Sequence, residues 1–438
     1  MTKIRKILGS AIPINFYSKE ENFDIYWQSF LSSRLGEIYQ SIPWQELIES
    51  FHLQDSKKGR ESIFSPRGKI ALQILKSYTG LSDRALVERL NSDYQFQFFC
   101  DVSISVESPL KCHKILSDIR TELGLKLNIQ SSQEVLSNFW KPYMTDIDEV
   151  LEDATCYESS MRYPTDAKLL WEANEWIFKQ INVFCKTLKI RKPRNKYGEQ
   201  KSKQLSFSKK KRKTKKQTKK RIKSLLYLLN KLLKQLSDIM ELLPYDTILS
   251  NVYFDRLDAI LTIVEQQEQL YKGEKVKDRI VSIDKAYIRP IVRGKESKRV
   301  EFGAKANIIQ VDGINMIDHI SFNAFNEGIR LEETITLSEN LFKVKVKKIA
   351  GDNIYANNNN RSFCTKNGII TSFVKKGKRA KDEEELEQVR KKLATKRATK
   401  MEGAFGTQKN HYGLNKIYAR TKENELLWIF FGILWVCL

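Results

Sequence analysis

The sequence predicts an α/β core with a mixed sheet, preceded by an all-helical region and interrupted by a helical, strongly basic insertion. Three observations carry this. Apolar residues recur at three- and four-residue spacing from residue 20 to residue 124. Strand-like runs appear only after residue 148, most of them behind residue 277. Between the first of those runs and the rest lies a helical block that holds most of the chain's excess charge.

Taken in order, Trp27, Phe30, Leu31, Leu35, Ile38 and Tyr39 mark amphipathic helix within residues 20–60. Ser65-Pro66 offers a cap and a first helical residue for KIALQILKSYTG. Thr79-Gly80-Leu81-Ser82 reads as a break and a new cap before DRALVERLNSD, and SPLKCHKILSDIRTELG closes at Gly124. Three or four such helices make a domain over residues 1–130, suited to gripping DNA ends or to dimerisation. DEVLEDATCY then reads as a strand with poor alternation. Residues 166–276 return to helix, with SLLYLLNKLLKQLSDIMELL the clearest amphipathic stretch. RIVSID, RVEFGAKANIIQVDG and NMIDHISFN read as strands, the last two joined by Asp312-Gly313. A helix at EETITLSENLF, strands at VKVKKIAGD and GIITSFV, and a charged helix from Asp382 to about Lys400 complete a core over 145–165 and 277–425.

The charge is local. The 438 residues carry 76 Lys+Arg against 53 Asp+Glu, a net of +23. Between Lys186 and Lys223 stand 19 of those cations and one acid, Glu199, so the remainder is nearly balanced. Such density, with Lys209, Lys210, Lys211, Arg212, Lys213, Lys215 and Lys216 almost continuous, suits a nucleic-acid backbone held without sequence readout. Only Tyr197 and Phe207 interleave it, so base stacking is not suggested. A hydrophobic share of 41% excludes global disorder. Six cysteines without a CxxC pair and four scattered histidines argue against a zinc site or a disulfide framework, and a reducing cytoplasm is expected. MTKIRKILGSAIPINF shows no signal peptide. The apolar run Leu426 to Leu438 is shorter than the roughly 20 residues of a membrane helix, so a buried terminal helix over 426–438 is expected and no membrane partner.

Strand ends in such a sheet are where chemistry collects. Counting by twos through Val344, Val346, Lys348 and Ala350 arrives at Asp352, and Asp153 holds a comparable place in LEDATCY. In KMEGAFGTQKNHYGL, Glu402 and Lys409 share a helical face two turns apart. Three carboxylates suit a pair of Mg²⁺ ions, with a lysine beside them to hold phosphate.

The stretches DATCYESSMRYPTDAKLL, IRPIVRGKESKRVEFGAKANI, AGDNIYANNNNRSFCTKNGI and MEGAFGTQKNHYGLNKIYAR resemble the signature blocks of bacterial insertion-sequence DDE transposases. TGLSDRALVERLNSDYQFQFFCDV resembles their N-terminal helical domain, and the likeness runs in order from about residue 60 to 435. The resemblance implies an RNase H-like core, catalytic and metal-binding Asp153, Asp352 and Glu402, and two Mg²⁺ with Mn²⁺ as a substitute. It places Asn360-Arg361, Lys409, Tyr412-Gly413 and Arg420 near the acids or the end DNA. It also selects Glu402 over Glu383, Glu384, Glu385 and Glu387, which read as a solvated face with Arg390, Lys391 and Lys392. Some relatives carry an arginine four residues before the glutamate, where this chain has Ala398 with Arg397 beside it. The function implied is cutting and joining of DNA at an element's terminal inverted repeats, by at least a dimer acting on end and target DNA in a bacterial cytoplasm. The alternative is an inactive DNA-binding remnant or a repressor of its own element.

Overall fold

The computed structural model describes residues 20–55, 62–244, 247–292, 300–374, 376 and 383–434. Eight helices open the described chain: α1 (Glu20–Leu31), α2 (Arg34–Gln40), α3 (Trp44–Ser50), α4 (Pro66–Thr79), α5 (Asp83–Ser92), α6 (Tyr94–Phe99), α7 (Lys114–Lys126) and α8 (Ile129–Trp140). Caps decide most of these boundaries. Ser65 accepts from the Gly68 N–H with Pro66 at the first position, and Ser82 accepts from the Ala85 N–H. Gly80 ends α4 at φ +62°, where a side chain would be strained. The block at residues 20–60 is three helices, because Ser33 caps α2 afresh and Pro43 precedes α3. Helix α8, capped by Asn128, was not expected from the sequence.

The sheet is built from β1 (Glu149–Glu158), β2 (Pro290–Val292), β3 (Val300–Val311), β4 (Ile314–Ser321), β5 (Lys348–Ala350) and β6 (Ile370–Thr371). Its main order is β4-β3-β1-β5-β6, with β2 paired to the start of β3. The first three run antiparallel to their neighbours, and β5 and β6 run parallel to β1. Asp312 at φ 47° and Gly313 at φ 88° form the two-residue turn of the β3–β4 hairpin. The poor alternation of β1 follows from its central place, since residues on both its faces are buried. RIVSID is a correction: residues 279–284 are not a strand. Arg279 pairs with Asp166, and the Ile280 N–H donates to Gln266, so the segment is spent on helices instead.

Between β1 and β2 lie α9 (Asp166–Thr187), α10 (Tyr197–Lys209), α11 (Lys215–Met240) and α12 (Asn251–Lys272). They close around their own core, which includes Leu170, Ile177, Leu225, Leu229, Leu232, Ile260 and Ile263. Among the described residues α13 (Leu331–Phe342), α14 (Asn358–Lys366), α15 (Glu383–Asn410) and α16 (Lys422–Leu434) follow. The charged helix thus continues past Lys400 through Glu402.

A second, continuous core joins the first helices to the sheet, from Phe30, Ile70 and Leu86 through Ile308 and Ile349 to Phe430. Helix α16 is its hinge-pin, lying against α4, α7 and β4. Phe431 stacks on Phe51 at 6.3 Å. At its start, buried Glu425 accepts from the Lys285 ammonium and the Ser159 hydroxyl. No described helix is long and apolar enough to cross a membrane.

Candidate active site

Parallel pairing sets two of the acids side by side. Leu151 pairs with Ala350 in the β1–β5 ladder. Two residues past that pair stand Asp153, still within β1, and Asp352, just beyond the end of β5 and near enough for its charge to act on Asp153. Burial lifts the Asp153 pKa above its ordinary value; the Arg397 charge and the Ala154 N–H oppose the lift, and the Asp352 charge adds to it. The Arg397 guanidinium donates to Asp153 at 2.7 Å with both side chains 19% exposed. Asp352 is exposed and caps the turn that follows, accepting from the Asn353 N–H.

Helix α15 lies along the same face of β1. Lys396 pairs with Glu149, Arg397 with Asp153, and the Lys409 ammonium donates to the Thr155 hydroxyl at 2.8 Å. The Tyr157 hydroxyl donates to Gln408 at 2.5 Å, and Lys409 stands 5.8 Å from the Tyr157 ring centre. Met401, Ala404 and Gln408 are the buried side of the helix. Glu402 is exposed, five residues past Arg397 and so about 140° round the helix from it. The structure therefore brings Asp153 and Asp352 together, while Glu402 is exposed on the flank of α15 that it shares with Lys409, seven residues on. Among the described residues no three His, Cys, Asp or Glu side chains gather closely enough to hold a metal ion. Asp153 and Asp352 nonetheless fit a hard cation: two neighbouring carboxylates, with Arg397 as the counter-charge paired to Asp153.

The other face of β1 carries a group that pattern reading missed. Glu152 is fully buried, and neither carboxylate oxygen has a hydrogen-bond partner at ordinary geometry. Burial and then the Asp318 charge push its pKa well above the ordinary 4.5, against a smaller pull from the Thr334 hydroxyl. Asp318 is itself paired with Arg330 at 2.8 Å and accepts from the Asn307 amide at 3.0 Å, and Tyr355 donates to that same Asn307. Gly351 admits this packing, because a Cβ there would sit 3.0 Å from both Glu152 and the Tyr355 ring. The available signal was the Glu152-Asp153 pair set between apolar Val150-Leu151 and Ala154. Its raised pKa means the folded chain keeps the Glu152 proton while the unfolded chain releases it. Stability is therefore full below pH about 4.5 and falls as pH rises towards the folded value. Glu152→Gln should remove that slope in metal-free protein and gain about 1–3 kcal/mol at neutral pH, read from urea melts across pH. An unchanged slope would place the titration elsewhere.

The remaining sequence candidates divide into exposed and structural groups. Arg361 donates to the Ala356 carbonyl at 2.9 Å and the Val374 carbonyl at 2.7 Å and lies over Phe373, so its guanidinium holds loops together. Asn360 is buried and donates to the Gly328 and Tyr355 carbonyls. Tyr412 is half-buried and Arg420 exposed. Lys209, Lys210, Lys211, Arg212, Lys213, Lys215 and Lys216 are all exposed, at the join of α10 and α11. Arg221, in the same basic segment, is instead buried and bound to Gln204 and Gln200. Lys213 and Lys215 of that join share a cleft with Asp166, Tyr271 and Lys272.

Two family models match the chain. Residues 25–122 match a transposase domain (DUF772), and residues 349–438 match a transposase DDE domain. The first covers α1 to most of α7; the second begins in β5 and spans Asp352 and Glu402. No curated protein and no solved structure matches. Together the two domains indicate DNA transposition.

Proposed function

For a chain of the insertion-sequence DDE transposase family, we propose that this protein binds the terminal inverted repeats of its element and catalyses metal-dependent cleavage and strand transfer there. The observation that carries the reading is the nearness of Asp153 on β1 to Asp352 just past β5, which follows from the parallel pairing of those two strands. The strand order, three antiparallel strands followed by two parallel ones, supports an RNase H-like core.

In this reading Asp153, Asp352 and Glu402 hold two Mg²⁺, with Mn²⁺ able to replace them. Bound there, the ions would activate the attacking oxygen and stabilise the leaving one. Arg397 neutralises Asp153 until a cation competes for it, and α15 carries Arg397, Glu402 and Lys409 on one helix beside the acids. Lys409, held at Thr155 beside the acids, sits where a phosphate needs a point charge. Two ends must be held at once, so the active form is at least a dimer.

The exposed lysines of the insertion supply affinity rather than sequence choice. Exchanging Lys209, Lys210, Lys211, Arg212, Lys213, Lys215 and Lys216 for glutamine should weaken end-DNA binding and flatten the slope of log K against log salt by several units, about 0.9 for each lost phosphate contact. Exchange is the cleaner test than deletion of 186–223, which would also remove buried Gln204 and Arg221. An unchanged slope in filter binding would leave that segment a solvated linker. The reading as a whole is tested by incubating the chain with its end DNA and Mg²⁺: nicking that exposes a 3′-OH at the element's edge is expected, and bound but uncut DNA would favour an inactive remnant.

A further inference from the structure

Asp352 stands on a turn too short to hold itself. It lies just past β5, where it caps a single 3₁₀ turn, Asn353–Tyr355, and its carboxylate accepts from the Asn353 N–H of that same turn. Such a bond travels with the turn. One 3₁₀ turn has little stability of its own. The place of Asp352 is therefore decided by whatever fixes Tyr355, whose N–H donates to the Asp352 carbonyl at 3.0 Å.

Tyr355 is fixed at both ends. Its side chain is fully buried, its carbonyl accepts from the Asn360 amide at 2.8 Å, and its hydroxyl donates to Asn307. Asn307 is itself fully buried in β3, opposite Ala154 and next to Ile308, which pairs with Asp153. Because β1 lies between β5 and β3, the tyrosine and the asparagine together reach across two strand spacings, roughly 10 Å. They do so on the Glu152 face of β1, where Gly351 leaves room for the ring. Both side chains are thus buried behind the strand that bears Asp153, and they act on the acids only through the backbone.

The Asn307 amide is oriented as well as buried. Its Nδ2 donates to Asp318 at 3.0 Å, and that carboxylate, 1% exposed, accepts from the Arg330 guanidinium at 2.8 and 3.2 Å. An ionised carboxylate only accepts, so the nitrogen of Asn307 must face it and the oxygen is left for the Tyr355 hydroxyl. Tyr355 and Asn307 therefore form a strut from the turn of Asp352 to the ladder that carries Asp153.

We propose that Tyr355 and Asn307 are positioning residues, which set the spacing of Asp352 from Asp153 and so raise the affinity of the pair for a divalent cation; this rests on the metal reading above.

Two readouts on the full chain bound to pre-cleaved end DNA test it. One is hydrogen exchange, by mass spectrometry in EDTA, of the amides at residues 353–356. The other is Mn²⁺ binding by electron paramagnetic resonance, with Asp153→Asn/Asp352→Asn as the background. Tyr355→Phe, which keeps the ring and deletes the hydroxyl, should speed that exchange about tenfold and weaken Mn²⁺ binding about tenfold. In an Asn307→Ala background the same substitution should change neither readout further, because the bond it deletes is already gone. Ile70→Val, which trims the same continuous core at α4, is the control for lost stability alone and should leave both readouts at wild type. Wild-type exchange or wild-type Mn²⁺ affinity in Tyr355→Phe, or an equal loss in Ile70→Val, overturns the proposal and leaves the metal reading standing. Wild type that binds no more Mn²⁺ than the background variant overturns both.

Discussion

Asp352→Asn and Glu402→Gln should each slow cleavage of end DNA by at least about a thousandfold, roughly 4 kcal/mol of lost transition-state stabilisation, while DNA binding in EDTA changes little. The two substitutions reach that result by different routes. Asp352 is exposed beside Asp153 at the end of β5, so its amide removes one oxygen donor from a pair already in place. Glu402 is exposed on α15, on the flank it shares with Lys409, so its amide tests whether that helix supplies the third oxygen donor. Single-turnover cleavage on pre-nicked and intact ends would measure both. If Glu402→Gln cuts as well as wild type while Asp352→Asn does not, the third ligand is another residue; if both cut normally, the site is elsewhere.

Phe430→Ala should cost about 3–5 kcal/mol, the range for a fully buried phenylalanine. The loss should be shared by the helical N-terminus and the sheet, because both pack on α16 within one core. Circular dichroism and a tryptophan signal from the first helices should then report the same lowered urea midpoint. The insertion has a separate core, so Leu229→Ala, which empties that core, is the comparison. A cost under 1 kcal/mol for Phe430→Ala, or first helices that melt at the wild-type midpoint, would mean that α16 is an appendage.

Much of the architecture was legible because it is written in local chemistry. Ser65-Pro66, Gly80 and Ser82 announce helix ends, Asp312-Gly313 announces a hairpin, and the lysine run announces an exposed surface. What could not be read was what distant segments do to one another. The alternation of β1 fails because it is central, and only pairing with β5, 198 residues on between the two aspartates, explains why two acids meet. RIVSID has strand composition, yet Arg279 and Ile280 are claimed by Asp166 and Gln266. Arg221 looks like its lysine neighbours and is buried against glutamines that only the fold brings near. Arg397 is the clearest case at the site: its sequence neighbourhood hinted at a role, and its partner Asp153 lies 244 residues away. The direction in which Glu402 points is likewise a property of how α15 is pinned by Lys396, Arg397 and Lys409.

With DNA bound, the proposed metal site would comprise Asp153, Asp352 and Glu402. Crystals of the chain with end DNA, soaked in Mn²⁺ and measured at the manganese edge, test it most directly. Anomalous peaks are expected between the Asp153 and Asp352 carboxylates, with Glu402 completing the site and Arg397 withdrawn from Asp153. Peaks held by other residues, or none beside Asp153 while Arg397 keeps its place, would contradict it.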